Sequence, residues 1–166
     1  VFRLDPKNDD AWNDWRQLYL DPVDQWEVAS IMGAHLDRNY DPDIALRRID
    51  ALFDGGFEVD SWREVERFRN QVRGTKYLSL LSYYAGVVEA ARGNNQEGAG
   101  YYFNGIAFAR NNTDLEPYFE DLEPLLSAAD RRVWQSGLMN RQREMLLGWW
   151  NARDPLPLSE VNERWV

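Results

Sequence analysis

The amino-acid sequence predicts an all-α chain of stacked antiparallel helix hairpins. Apolar residues recur at spacings of three and four almost throughout. Turn residues interrupt them often enough to leave helices of about 10 to 17 residues joined by short loops. No stretch alternates with period two for long enough to call for a sheet.

Two helices fit the first forty residues, one around Trp12 to Leu20 and one from Val23 to Leu36. The next places Ile44, Ala45, Ile49, Leu52 and Phe53 on one stripe. Asp41-Pro42 supplies a cap and a first-turn proline, and Gly55-Gly56 a stop. Ser61 is positioned to cap a helix carrying Trp62, Val65, Phe68 and Val72, with Gly74 beyond its end. Tyr77 to Arg92 aligns Leu81, Tyr84, Ala85 and Val88 and breaks at Gly93-Asn94-Asn95. Ala99, Tyr102, Phe103 and Ile106 form a stripe that ends at Asn111-Asn112, and Tyr118, Phe119, Leu122, Leu125 and Leu126 form another. Ser127-Ala128-Ala129-Asp130 has the form of a capping box with Asp in place of Glu, opening a short helix through Val133 and Trp134 that Gly137 closes. Leu138, Met145, Leu146 and Trp149 mark a last long helix, expected to end near Asp154-Pro155.

Composition narrows the function classes. With 166 residues and 44% hydrophobic content the chain can bury a core, and eight Trp, eight Tyr and seven Phe point to aromatic packing. Nineteen Lys+Arg against twenty-eight Asp+Glu leave a net charge of −9, the wrong sign for holding nucleic acid or anionic lipid. Zero cysteines exclude disulfides, thiolate nucleophiles and Cys-type zinc sites. No apolar run approaches the roughly 20 residues of a membrane helix. The start at Val1 suggests a processed or trimmed piece of a longer protein.

Individual motifs offer little chemistry. Asp37 to Asp43 has the oxygen alternation that opens a calcium loop, but Pro42 and Arg48 stand where the turn glycine and bidentate glutamate belong. His35 is the single histidine, near a helix C-terminus where a cation is favoured. Glu116, Glu120, Asp121 and Glu123 beside Tyr118 and Phe119 hold the ingredients of glycoside hydrolysis, yet helical spacing makes most of them a solvated face. No catalytic residue, cofactor or metal ligand is expected.

Gly86, Gly93, Gly98, Tyr102 and Gly105 follow the rhythm of small residues at a helix crossing, a turn glycine, then small–aromatic–small. This resembles a tetratricopeptide repeat, with Glu89 where a bulky apolar residue is usual and glycines in place of alanines at Gly98 and Gly105. Gly33, Ala45, Ile49 and Leu52 give a fainter echo, so an irregular tetratricopeptide-like solenoid is expected; a plain bundle with glycine-mediated close packing is the alternative.

The most specific string is Trp149-Trp150-Asn151-Ala152-Arg153-Asp154-Pro155-Leu156-Pro157, followed by Asn162-Glu163-Arg164. It resembles the opening of the bacterial GWxTD domain at Trp150, Arg153, Asp154, Pro155, Pro157, Asn162 and Glu163, with Leu156 where Thr is common. The expected division is therefore a helical-hairpin domain over 1–148 and the start of a GWxTD-like segment over 149–166. The resemblance implies an extracytoplasmic scaffold and no reaction. In physical terms the string is a helix exit, with Arg153 placed to favour the C-terminal dipole and two prolines stiffening the chain.

The sequence thus points to a non-catalytic protein-binding or scaffold module, a subunit of a larger envelope assembly, with a protein partner. Trp149, Trp150, Trp12 and Arg153 are its candidate partner-binding residues, one of the adjacent pair Trp149/Trp150 being expected to leave the core stripe. The alternative is a carbohydrate-binding or carbohydrate-active helical domain.

Overall fold

The computed structural model describes residues 22–72 and 74–152, and side chains from Gln25 onward. Among the described residues the chain is all-helical, with eight α-helices. They are α1 (Pro22–Leu36), α2 (Pro42–Asp54), α3 (Glu58–Gln71), α4 (Leu78–Ala91), α5 (Asn95–Phe108), α6 (Glu116–Leu122), α7 (Ala128–Gln135) and α8 (Met139–Asn151). Short 3-10 turns, Thr113–Leu115 and Glu123–Leu125, flank α6. The helix expected around Trp12 to Leu20 lies outside the described residues. None of the described helices is long and apolar enough to cross a membrane.

Contacts divide the chain into two compact units, Val1–Arg73 and Gly74–Val166. Residues 148 and 149 both lie within α8, whose Leu146 and Trp149 bury into the same core.

In the first unit the sequence signals for α2 act as read. Asp41 accepts backbone hydrogen bonds from Asp43 and Ile44 at its N-terminus. At its C-terminus the Phe57 N–H bonds the Leu52 carbonyl across Gly56, whose φ of 75° suits a residue without Cβ. Ser61 does not cap α3, which begins one turn earlier at Glu58. It sits buried within the helix, its hydroxyl donating to the Ile49 carbonyl of α2. Hydrogen bonding to the neighbouring helix outweighs its capping propensity.

A polar tie crosses the three described helices of this unit. The Arg48 guanidinium on α2 donates to the Ala29 carbonyl of α1 at 2.9 Å and to the Glu64 carboxylate of α3. Glu64 is only 2% exposed, and its carboxylate is paired with that guanidinium and, at 4.0 Å, with Arg67 on its own helix. The Arg48 head lies directly over Gly33, where an added Cβ would meet it at 3.0 Å. Arg67 adds an ion pair to Asp37 and rests over the Tyr40 ring. Burial, with the Glu64 charge beside it, pushes the Tyr40 phenol up to about 12.

The second unit is organised by α4 and α5, which pack along each other after a tight reversal at Arg92–Asn94. Gly93 takes φ 85° there, and the Asn94 N–H returns to the Glu89 carbonyl. Gly86 and Gly98 meet at the crossing: a Cβ on Gly98 would lie 2.8 Å from the Gly86 carbonyl oxygen. Glu89 is buried, its carboxylate held by Arg92 and the Asn94 side-chain amide. The capping box at Ser127 forms with Asp130 as its acidic member. Helix α5 ends at Phe108, before the expected asparagines, and Arg143 of α8 covers the carbonyls of Ile106 and Ala109.

Two stability tests follow from this packing. Gly98→Ala forces Cβ into backbone and should cost about 1–3 kcal/mol despite the better helix propensity. Gly100→Ala, where nothing lies within 4 Å, should instead gain up to about 1 kcal/mol. Urea denaturation of both variants checks the pair, and a stabilised Gly98→Ala would refute the close crossing. In the first unit, Arg48→Met leaves the buried Glu64 with only the longer 4.0 Å ion pair to Arg67 and should cost about 3–5 kcal/mol, most of it recovered by adding Glu64→Leu. Chemical unfolding midpoints of the single and double variants measure that recovery.

Candidate functional site

Two arrangements in the second unit bring chemically active side chains together. The first is an open groove of about 520 Å³ along α7 and α8. Asp130 and Val133 line it from α7; Arg141, Glu144, Met145, Gly148 and Trp149 line it from α8, with Ala152 just beyond. Helical spacing explains the α8 wall: 141, 144, 145 and 148 recur on one face. Gly148 leaves that wall open, since no atom lies within 4 Å of where its Cβ would stand. Asp130 is committed as a cap, accepting from the Ser127 N–H and hydroxyl.

The second arrangement is a carboxylate held between tyrosines. Asp121 lies at the surface on α6, but its Oδ1 accepts from the Tyr83 hydroxyl at 3.0 Å and its Oδ2 from the Tyr102 hydroxyl at 3.2 Å. Burial of the carboxyl group raises its pKa, opposed by the two phenol hydrogen bonds and aided by the charge of Glu120. Tyr102 is almost fully buried, and burial together with the Asp121 charge pushes its phenol well above the usual tyrosine range. Burial raises Tyr118 as well, but its hydroxyl donates to the Ser79 backbone carbonyl at 2.8 Å. The Ser79 hydroxyl in turn donates to the Gly105 carbonyl, at the point where α4 and α5 are closest to Tyr118.

The candidates named from sequence are distributed unevenly. Trp149 is 8% exposed and belongs to the core with Leu146 and Tyr102, so it does not protrude as an interface anchor; it contributes only to the groove wall. Of the adjacent pair, Trp149 is in the buried core, while Trp150 is half-buried and packs against that core, meeting Tyr102 and Phe103 of α5 edge to face. Trp12 and Arg153 lie outside the described residues, as do Asp154, Pro155, Pro157, Asn162 and Glu163.

Of the acidic cluster, Asp121 alone accepts tyrosine hydrogen bonds, and Phe119 stacks flat on Trp134 at 4.1 Å. His35 sits in the last turn of α1. In the calcium-like stretch, Asp41 is spent on capping and Asp37 on Arg67. Among the described residues no group of three or more His, Cys, Asp or Glu side chains could hold a metal ion.

Sequence reasoning did not find the Tyr83–Asp121–Tyr102 arrangement. Its members are 38 and 19 residues apart, and no local spacing joins them. It did not single out Arg141 and Glu144, whose charged side chains carry no local signal of a groove, and it placed Met145 on the apolar stripe of its helix.

Comparison with protein-family models, with curated protein sequences and with solved structures finds no match.

The raised Asp121 carboxyl has a measurable consequence. Its folded pKa lies above the unfolded value, so the folded chain binds this proton more tightly, and the contribution to stability falls as pH rises above about 4. Asp121→Asn, which cannot ionise, should therefore gain on the wild type as pH increases. Urea midpoints of both proteins across the acid-to-neutral range test this; a difference that stays constant with pH contradicts it.

Proposed function

We propose that this chain is a non-catalytic protein-binding or scaffold module, a subunit of a larger bacterial envelope-associated assembly. The observation that carries the reading is the α7–α8 groove. Its lining combines the apolar side chains Val133, Met145 and Trp149 with the charged side chains Asp130, Arg141 and Glu144. That mixture suits a protein segment, which needs apolar contact for affinity and charges for register. The glycine-mediated crossing of α4 and α5 supports a tetratricopeptide-like arrangement of irregular stacked hairpins, an architecture that presents such grooves. The likeness of residues 149–166 to the start of a GWxTD domain favours an extracytoplasmic location.

A carbohydrate-binding or carbohydrate-active domain draws on the same groove, where Trp149 stands with Asp130 and Glu144. It is the weaker reading. Trp149 offers no open face, and the Asp130 carboxylate is committed to the capping box.

Gly148→Arg gives a clean test, because it fills the groove while replacing a helical glycine with a better helix former. The variant should match or exceed wild-type stability by up to about 1 kcal/mol. On native-complex analysis in envelope extracts, the wild-type chain should run in a larger assembly and Gly148→Arg as the free form. Free monomer from the wild-type chain overturns the reading.

A further inference from the structure

We propose that the second unit contains a one-electron relay, in which oxidation at Trp149 on the groove wall is passed through Trp150 to Tyr102 and Tyr83 and ends as a tyrosyl radical whose proton is taken by Asp121. The rings form an unbroken series. Trp149 and Trp150 have centroids 5.1 Å apart, Trp150 and Tyr102 6.0 Å, and Tyr102 and Tyr83 6.0 Å. Trp149 lines the open groove, so the series begins where a small diffusible oxidant can approach. It ends at Tyr83, half-buried, and at Asp121, which lies at the surface.

What separates this series from ordinary aromatic packing is the hydrogen bonding at its end. A buried tyrosine that bonds a backbone carbonyl, as Tyr118 does with Ser79, has no base to receive its proton when it loses an electron. Tyr83 and Tyr102 each bond a different oxygen of one carboxylate. A carboxylate within hydrogen-bond reach can take a phenol proton as the electron leaves, which avoids the high-energy phenol radical cation. A tyrosine that releases electron and proton together is oxidised more readily than an indole, so the hole runs from Trp to Tyr.

The step balances. A one-electron oxidant of the carbonate-radical or ruthenium(III) class takes an electron from Trp149, Trp150 refills Trp149, and Tyr102 refills Trp150. The Tyr102 O–H bond breaks, and its proton forms a new O–H bond on Asp121 Oδ2. Tyr83 then refills Tyr102: the Tyr102 oxygen recovers its proton from Oδ2 as the Tyr83 O–H proton passes to Oδ1, so the net change is one reduced oxidant, one neutral radical on the half-buried Tyr83 and one protonated carboxyl. Such a relay removes oxidising equivalents from the tryptophan at the groove and delivers them to a surface site where a solution reductant can quench them.

The test uses photogenerated tris(bipyridine)ruthenium(III) with the whole chain, following indole and tyrosyl radicals by transient absorption and electron paramagnetic resonance. In the wild type the indole signal should convert to tyrosyl. Tyr83→Phe combined with Tyr102→Phe should lose most of the tyrosyl signal and prolong the indole radical. Asp121→Asn should slow the conversion and make its rate depend on the concentration of buffer base. An indole radical that persists in the wild type overturns the proposal, as does an undiminished tyrosyl yield in the double variant with native circular dichroism. If the double variant does not fold, Asp121→Asn decides alone: slowed, buffer-dependent conversion upholds the relay, and an unchanged rate refutes it.

Discussion

The second unit depends on how closely α4 can approach α5. Gly86 and Gly98 meet with no room for a Cβ between them, and Gly105 leaves the same kind of space for the Tyr118 hydroxyl. At that separation the Tyr118 hydroxyl reaches the Ser79 carbonyl and the Ser79 hydroxyl reaches the Gly105 carbonyl, so buried polar groups on both helices and the segment after α5 are satisfied together. Glycine is a poor helix former, and each of these positions costs helix propensity. The hydrogen bonds and aromatic burial made possible by the short distance offset that cost.

Tyr102 transmits this approach to the rest of the unit. It packs at the Gly86 crossing, meets the rings of Tyr118, Tyr83 and Trp150, and bonds Asp121. Helices α6 and α8 are therefore positioned by the same ring that fills the α4–α5 interface. The groove along α7 and α8 is a consequence: burying Trp149 and Leu146 turns the face with Arg141, Glu144 and Gly148 outward. The first unit solves its packing differently, with a guanidinium spanning three helices in place of an aromatic layer.

Much of the helical order was legible because capping and turn chemistry are local. Asp41 before Pro42, the Ser127–Asp130 box and Gly93 each act within one turn, and each does what its residue type favours. Ser61 was misread for an equally clear reason. A serine before an apolar stripe has the same sequence signature whether its hydroxyl caps its own helix or bonds a neighbour, and only the presence of the Ile49 carbonyl decides. The adjacent tryptophans pose the same ambiguity. Helix periodicity turns one of two neighbours away from a stripe, but it says nothing of whether a second aromatic layer waits there.

The sequence by itself determined the all-helical class, most helix ends, the acidic character and the lack of cysteine chemistry, because these follow from residue type and short-range spacing. Only the tertiary structure decided that Glu64 would be neutralised by Arg48, that Trp149 would line a groove as a buried wall, and that Asp121 would be gripped by Tyr83 and Tyr102. Those pairings join residues 16 to 38 positions apart. Their distances are set by how near two helix axes can come, a quantity fixed by the side chains of both helices at once.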